Sequence, residues 1–166
     1  GSAIQAQANL IIRNSVFVNN HFSGGNTGED VTVDLQPQYN SDDGSSRYSG
    51  RAILINNTFH DNPGERIISF KSSDHESARL FLYSNIFSEF SGGYEAVQVS
   101  KESSGVEFHV GSNLFDQAND KYIFPASIQI FDDGGDVIGD PKFKGEAIKN
   151  FELTPSSPAI DAGINS

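Results

Sequence analysis

The sequence predicts an all-β protein whose chain winds into a single-stranded parallel β-helix of about five coils, with three short strands in each coil. Phenylalanine recurs at intervals of 28 residues, at Phe59, Phe87, Phe115 and Phe143. An asparagine stands two positions before the first three of them, at Asn57, Asn85 and Asn113. Short runs rich in Val, Ile and Phe alternate with Asn, Ser and Gly, and no stretch shows the apolar spacing of an amphipathic helix.

Alignment on the phenylalanines predicts where the strands of each coil lie. First strands are expected at residues 10–12, 52–54, 80–82, 108–110 and 136–138. Second strands are expected at 16–18, 58–60, 86–88, 114–116 and 142–144. Third strands are expected at 31–35, 67–70, 96–99, 127–130 and 151–153. We expect residues 1–166 to form one domain, with coils at 9–50, 51–78, 79–106 and 107–135 and a closing coil at 136–166.

Asparagine is the expected residue at the corners between first and second strands. It tolerates a left-handed backbone and forms local hydrogen bonds, both of which suit a sharp bend. Because one coil lies directly above the next, Asn57, Asn85 and Asn113 are predicted to form an internal amide ladder.

The first coil is longer than the others, because Phe17 precedes Phe59 by 42 residues. Residues 19–50 therefore form an insertion, and an insertion of that length is either functional or without fixed structure. Residues 1–4 are either a cloning remnant or the end of a preceding repeat. Since 8–18 has the pattern of a coil interior, we expect this chain to be a piece of a longer protein.

The C-terminal part carries a specific pair of motifs. These are Gly-Asp-Pro-Lys-Phe at 139–143 and Ser-Pro-Ala-Ile-Asp-Ala-Gly at 157–163. They resemble the closing coil of bacterial right-handed parallel β-helix proteins of the pectin-lyase-like superfamily. The resemblance implies a right-handed helix in a secreted or surface-displayed protein. A solenoid must also cover the open end of its core, so we expect 136–166 to form that cap.

Charge and composition exclude several classes of partner. The chain has 11 basic and 22 acidic residues, a formal net charge of −11, and no cysteine. It therefore lacks the basic surface that nucleic acids or anionic membranes require, and it cannot form disulfides or thiolate metal sites. It has no apolar run long enough to span a membrane.

The outward face of the first strands is the main functional clue. The predicted outward column consists of Ile11, Ile53, Phe81, His109 and Val137. All of these residues except His109 are apolar. The matching column on the third strands is expected to face water, and it consists of Thr32, Ser69, Gln98, Gln129 and Glu152. An apolar stripe of this length is rarely bare. It is explained by a cover from the insertion or a neighbouring domain, by a carbohydrate groove, or by self-association.

The carbohydrate hypothesis assigns roles to five residues. Phe81 and Tyr83 would stack on sugar faces. Arg51, Arg79 and His109 would contact hydroxyl or carboxylate groups of the glycan.

Metal and catalytic sites have weaker support. Asp132, Asp133 and Asp136 lie in a Gly-rich corner that is either a turn or a weak calcium loop. The four histidines are spaced too irregularly for a zinc site, and no motif matches a lyase family. The sequence therefore predicts a non-catalytic polysaccharide-binding or attachment module without a cofactor, apart from Ca²⁺ at that corner. The alternatives are a lyase or hydrolase acting on an acidic glycan, and a structural spacer.

Overall fold

The computed structural model describes residues 2–6, 9–20, 31–35, 39–40, 46–47, 50–62, 66–72, 78–90, 96–101, 106–117 and 121–163. The early elements are β1 (Ser2–Ala6), β2 (Leu10–Arg13), β3 (Val16–Val18), β4 (Val31–Leu35), β5 (Tyr39–Asn40), β6 (Ser46–Arg47), β7 (Arg51–Ile55), β8 (Thr58–His60) and β9 (Arg66–Ser72). They are followed by β10 (Arg79–Tyr83), β11 (Ile86–Ser88), β12 (Val97–Lys101), β13 (Glu107–Gly111), β14 (Leu114–Phe115), β15 (Tyr122–Ile123), β16 (Gln129–Asp132) and β17 (Val137–Ile138). The last are β18 (Phe143–Gly145), a 3₁₀ turn (Glu146–Ile148) and β19 (Asn150–Leu153). No helix in these ranges is long and apolar enough to cross a membrane.

Fifteen of the first seventeen strands build three parallel sheets of five strands each. The other two, β5 and β6, form a short antiparallel pair. Sheet I contains the first strands β2, β7, β10, β13 and β16. Sheet II contains the second strands β3, β8, β11, β14 and β17. Sheet III contains the third strands β1, β4, β9, β12 and β15. The fold is a right-handed parallel β-helix of about five coils, as predicted, and β1 is a third strand that precedes the first coil.

The register between coils is direct, so like residues stack and fill a single core. In sheet I, Leu80 lies opposite Ala52 on one side and Phe108 on the other. The phenylalanines of sheet II form a continuous stack from Phe17 to Phe115, with ring centroids 4.9, 5.1 and 5.0 Å apart. This spacing equals the distance between paired strands, so each coil contributes one ring.

The predicted amide ladder is present. The backbone N–H and the side-chain Nδ2 of Asn57 both donate to Oδ1 of Asn85, at 3.1 and 3.0 Å. Asn85 donates in the same way to Oδ1 of Asn113, both at 3.0 Å. Each Nδ2 also donates to a backbone carbonyl of the preceding coil. The ladder thus satisfies buried polar groups at the corner where the strands bend.

The residue before each ladder position makes the bend itself. Its φ is 53° at Asn14, 56° at Asn56, 55° at Ser84 and 56° at Ser112. In the three corners that contain a ladder asparagine, one residue therefore adopts the left-handed backbone and the next turns its side-chain amide inward.

The last coil is shorter than the period predicts, and the four strands predicted at 127–130, 136–138, 142–144 and 151–153 were assigned to the wrong sheets. The ladder ends with Asn113 N–H donating to Asp136 Oδ1, only 23 residues later. The segment predicted as a third strand at 127–130 instead supplies β16 to sheet I, and the third strand of that coil is β15. The segment predicted as a first strand at 136–138 supplies β17 to sheet II. Ile138 therefore takes the place below Phe115 that the period gave to Phe143.

The C-terminal segment does not cap the end of the solenoid, contrary to the prediction. β18 and β19 pair antiparallel, and Phe143 and Phe151 both contact the ring of His60. The following residues line a cleft along the outward side of sheet II; the residues that meet there include Thr58, Ile86, Leu114, Leu153, Ala159 and Ala162. The tail thus lies along the side of the helix, while Ile130 and Ile138 in the last coil stay 42% and 50% exposed.

The outward side of sheet III was predicted to face water, and this is wrong in its first two coils. Thr32, Asp34 and Ser69 point outward and are all buried. The outward column there ends in Ile123 rather than Gln129, because Gln129 belongs to sheet I.

Candidate functional site

The outward side of sheet I carries a stack of aromatic rings. Phe81 and His109 lie face to face with centroids 4.4 Å apart, and His109 and Phe131 repeat this distance. Strand pairing places Ile11 and Ile53 at the same position in the two preceding coils. The inner rings therefore cover one another's faces and present their edges to solvent.

Phe131 was missed by the sequence analysis, which gave its position to Val137. It lies opposite His109, and among the described residues it has a ring partner on one side only. Phe131 is also exposed to solvent, so part of its ring is accessible to a ligand. The usable sequence signal was the alternation within 129–132. Once this segment is assigned to sheet I, the alternation places Ile130 inward and Phe131 outward.

An arginine and a glutamate flank the stack and contact His109. Arg79 Nε lies 2.7 Å from Glu107 Oε2, and His109 Nε2 lies 3.2 Å from the same oxygen. The hydrogen bond from Arg79 is the main cause of a lowered pKa for Glu107, followed by that from His109. The predicted residues Arg79 and His109 are thus brought together by an acidic neighbour that the sequence analysis did not consider.

Arg51 lies beside Arg79 on the neighbouring strand but has a different environment. Its backbone N–H donates to Asn9 Oδ1, and its guanidinium has no ion-pair or hydrogen-bond partner in the part of the chain that the structure describes. Arg13 is similarly exposed on the same side of sheet I. Glu107 compensates Arg79, whereas no described residue neutralises the charge of Arg51 at the side of the face.

Tyr83 was predicted to stack on a sugar and Asp133 to lie in a turn or a calcium loop. The structure brings these two side chains into contact. The phenol of Tyr83 donates to Asp133 Oδ2 at 2.7 Å. Burial, then the hydrogen bond to Asp133 and its negative charge, raise the pKa of Tyr83 to about 12. Tyr83 is therefore held in place and stays a neutral phenol over the whole physiological range.

The three aspartates of the Gly-rich corner have different partners. Asp132 Oδ1 accepts from the N–H of Gly134, and Asp133 accepts from Tyr83. Asp136 accepts from Asn113 and, at 2.7 Å, from the phenol of Tyr122. The corner thus works as a turn and as the end of the ladder; calcium binding there stays a prediction.

The face is open along much of its length. Ile11 is 63% exposed at one end and Phe131 is 37% exposed at the other. Phe81 and His109 between them are partly exposed. Its two nearest carboxylates, on Glu107 and Asp133, are held by Arg79 and Tyr83, which suits binding better than acid–base chemistry.

A scan against protein-family models, a search of curated proteins and a search of solved structures each found no match to this chain. The assignment as a parallel β-helix therefore rests on the structure.

A second polar cluster lies on the outward side of sheet II. His60, Glu89 and Glu146 offer ligand atoms that all lie within 4.8 Å of one another. The sequence pattern did not indicate this cluster, because it contains a single histidine and its two glutamates lie far apart in the chain. The period places His60, Ser88 and Asp116 at the same position in successive coils. Glu146 lies in the C-terminal tail, which folds back onto sheet II, so the period does not predict its position.

Proposed function

We propose that this protein is a secreted or surface-displayed bacterial β-helix module, of the pectin-lyase-like type, that binds a polysaccharide through the outward side of sheet I and has no catalytic activity of its own. The open aromatic stack of Phe81, His109 and Phe131 is the observation that carries the proposal. The three residues lie on successive strands of sheet I, and a row of this kind suits an extended chain of repeating units.

The geometry favours a particular division of roles. Phe131 offers the most exposed ring of the three for the apolar side of a sugar, whereas Phe81 and His109 offer ring edges. Arg51 offers a guanidinium that is free to pair with a carboxylate. The favoured ligand is therefore a glycan with acidic units, despite the net charge of −11 on the protein.

A screen of the purified protein against acidic and neutral glycans tests the proposal. Retention by a polyuronate, without the absorbance of unsaturated products, is the expected result. Formation of such products would replace the proposal by the lyase alternative. Phe131→Ala should reduce retention, and Ile148→Ala, which removes an exposed apolar side chain from the tail, should not.

End-to-end self-association is a second candidate, and a separate observation favours it. Ile123, Ile130 and Ile138 are exposed together at the last coil, where β15, β16 and β17 are edge strands. Light scattering of Ile138→Lys beside the wild type tests it: a wild-type oligomer that the substitution dissociates supports association, and a monomer at all concentrations excludes it.

A further inference from the structure

The outward side of sheet II carries a buried histidine whose second ring nitrogen faces two carboxylates. His60 is only 6% exposed, since Phe143 and Phe151 of the tail pack on its ring. Its Nδ1 lies 3.0 Å from Ser88 Oγ. Its Nε2 has no hydrogen-bond partner among the described residues and lies 3.6 Å from Glu89 Oε2.

The carboxylates reach this nitrogen from two different parts of the chain. Glu89 follows β11, and Glu146 begins the 3₁₀ turn between β18 and β19. Both also line a cavity of about 270 Å³ together with Ser88, Asp116, Asp140 and Pro141. The cluster therefore joins the solenoid to its folded-back tail.

Two further details distinguish the cluster from a chance group of acids. Glu89 has a φ of 51°, in a register column where the earlier coils have Asn19 and Asp61, which suit that backbone better. Asp116 Oδ1 is buried without a hydrogen-bond partner among the described residues, while Oδ2 accepts from the N–H of Glu89. A cation in the cavity would satisfy that oxygen.

We propose that His60, Glu89 and Glu146 bind one divalent transition-metal ion, Zn²⁺ by ligand type, and that the ion fastens the C-terminal tail to sheet II. An imidazole nitrogen with two carboxylates is a Zn²⁺ donor set that leaves a fourth position for water or another carboxylate. Ca²⁺ prefers oxygen ligands throughout, so it fits this cluster less well.

The spacing of the ligand atoms allows such an ion after a small movement. Two ligand atoms on one tetrahedral Zn²⁺ lie about 3.4 Å apart, since each bond is about 2.1 Å. The ligand atoms here lie within 4.8 Å of one another, so each pair must approach by at most about 1.4 Å. The Glu89 side chain is 58% exposed and Glu146 is exposed, so both can make this movement. Ser88 accepts the Nδ1 proton of His60 in that state and fixes the tautomer with a free Nε2.

Titration of metal-stripped protein with ZnCl₂, followed by calorimetry and thermal unfolding, tests the proposal. We expect one Zn²⁺ per chain and a rise in Tm of about 5 °C at a free concentration one hundred times Kd. Glu146→Gln and Glu89→Gln should each weaken binding more than about tenfold, and Ser88→Ala about tenfold. CaCl₂ at the same concentrations should leave Tm unchanged. Zn²⁺ should also slow proteolysis within 141–149, where the ion holds the turn.

Matched controls separate this site from other donors. His109→Gln removes a histidine that lies beside Glu107 on sheet I, and Glu152→Gln removes an exposed carboxylate from the tail. Neither should change the affinity. If His60→Gln fails to fold, circular dichroism will show it, and Glu146→Gln decides the question because Glu146 is exposed. The proposal is overturned by the absence of saturable Zn²⁺ binding, or by binding that survives both glutamate substitutions.

Discussion

At the scale of single residues, adjacent asparagines serve different purposes. Asn56 is exposed and supplies the left-handed backbone, whereas Asn57 is buried and joins three coils. Oδ1 of Asn57 accepts from the N–H of Ser15, and its Nδ2 donates to Asn85 and to the carbonyl of Ile12. The same residue type thus contributes conformation at one position and hydrogen bonds at the next.

Asn57→Ala should therefore reduce the free energy of unfolding by about 2–3 kcal/mol, because it leaves buried donors and acceptors unpaired. Asn56→Gly should change it by less than about 0.5 kcal/mol, because glycine adopts a positive φ readily. Urea denaturation of the two variants measures both values. Equal effects would show that the ladder adds nothing beyond the bend.

Tyr83 gives a prediction about pH. Its folded pKa of about 12 lies above the ordinary 10.0, so the stabilisation from this phenol is complete below pH 10 and is lost as the pH rises through about 12. Asp133→Asn should lower the pKa of Tyr83 toward 10, leaving only the effect of burial. Phenolate absorbance during a pH titration measures it, with Asp132→Asn as the control. Superimposable curves for wild type and Asp133→Asn would refute the assigned hydrogen bond.

At the scale of elements, the phenylalanine stack holds sheet II together. Phe59, Phe87 and Phe115 are fully buried, and each ring lies between the coils above and below it. The stack ends because Ile138, half exposed, occupies the next position.

Phe87→Ala should cost about 3–5 kcal/mol in stability, since it leaves a cavity between two rings. Ile138→Phe should instead add about 0.5–1.5 kcal/mol by extending the stack over Phe115. Ile148→Phe, in the exposed turn of the tail, is the control and should be neutral. Thermal and chemical unfolding of the three variants would contradict the described register if Ile138→Phe were destabilising.

The sequence predicted these elements well while the repeat length stayed constant. Phe59, Phe87 and Phe115 lie 28 residues apart and occupy equivalent positions, so the strands of the middle coils were correct. Phe143 continues the arithmetic but not the structure, because the coil after Asn113 is 23 residues long. The sequence period is only a count of residues. A coil with tighter corners adds strands to the same sheets with fewer residues, so the period does not reveal it.

At the scale of the whole molecule, the three sides of the β-helix differ. The tail covers β8, β11 and β14 of sheet II, the outward residues of sheet III are buried in its first coils, and sheet I stays open at Ile11 and Phe131. The alternation in the sequence predicted that Phe81 and His109 lie outward on sheet I, and the strand pairing confirms it. It could not show that Phe131 completes the stack, because that position follows from the shortened coil.

Affinity electrophoresis through a gel containing a polyuronate tests the glycan-binding claim most directly. The wild type should be retarded, with binding about three- to tenfold weaker in Phe131→Ala and in Arg51→Gln, which remove one stacking ring and one guanidinium. Lys149→Gln removes an equal charge from the tail and should migrate like the wild type after correction for charge. Wild-type mobility that is the same with and without the polyuronate would contradict the account, as would retardation that both substitutions leave unchanged.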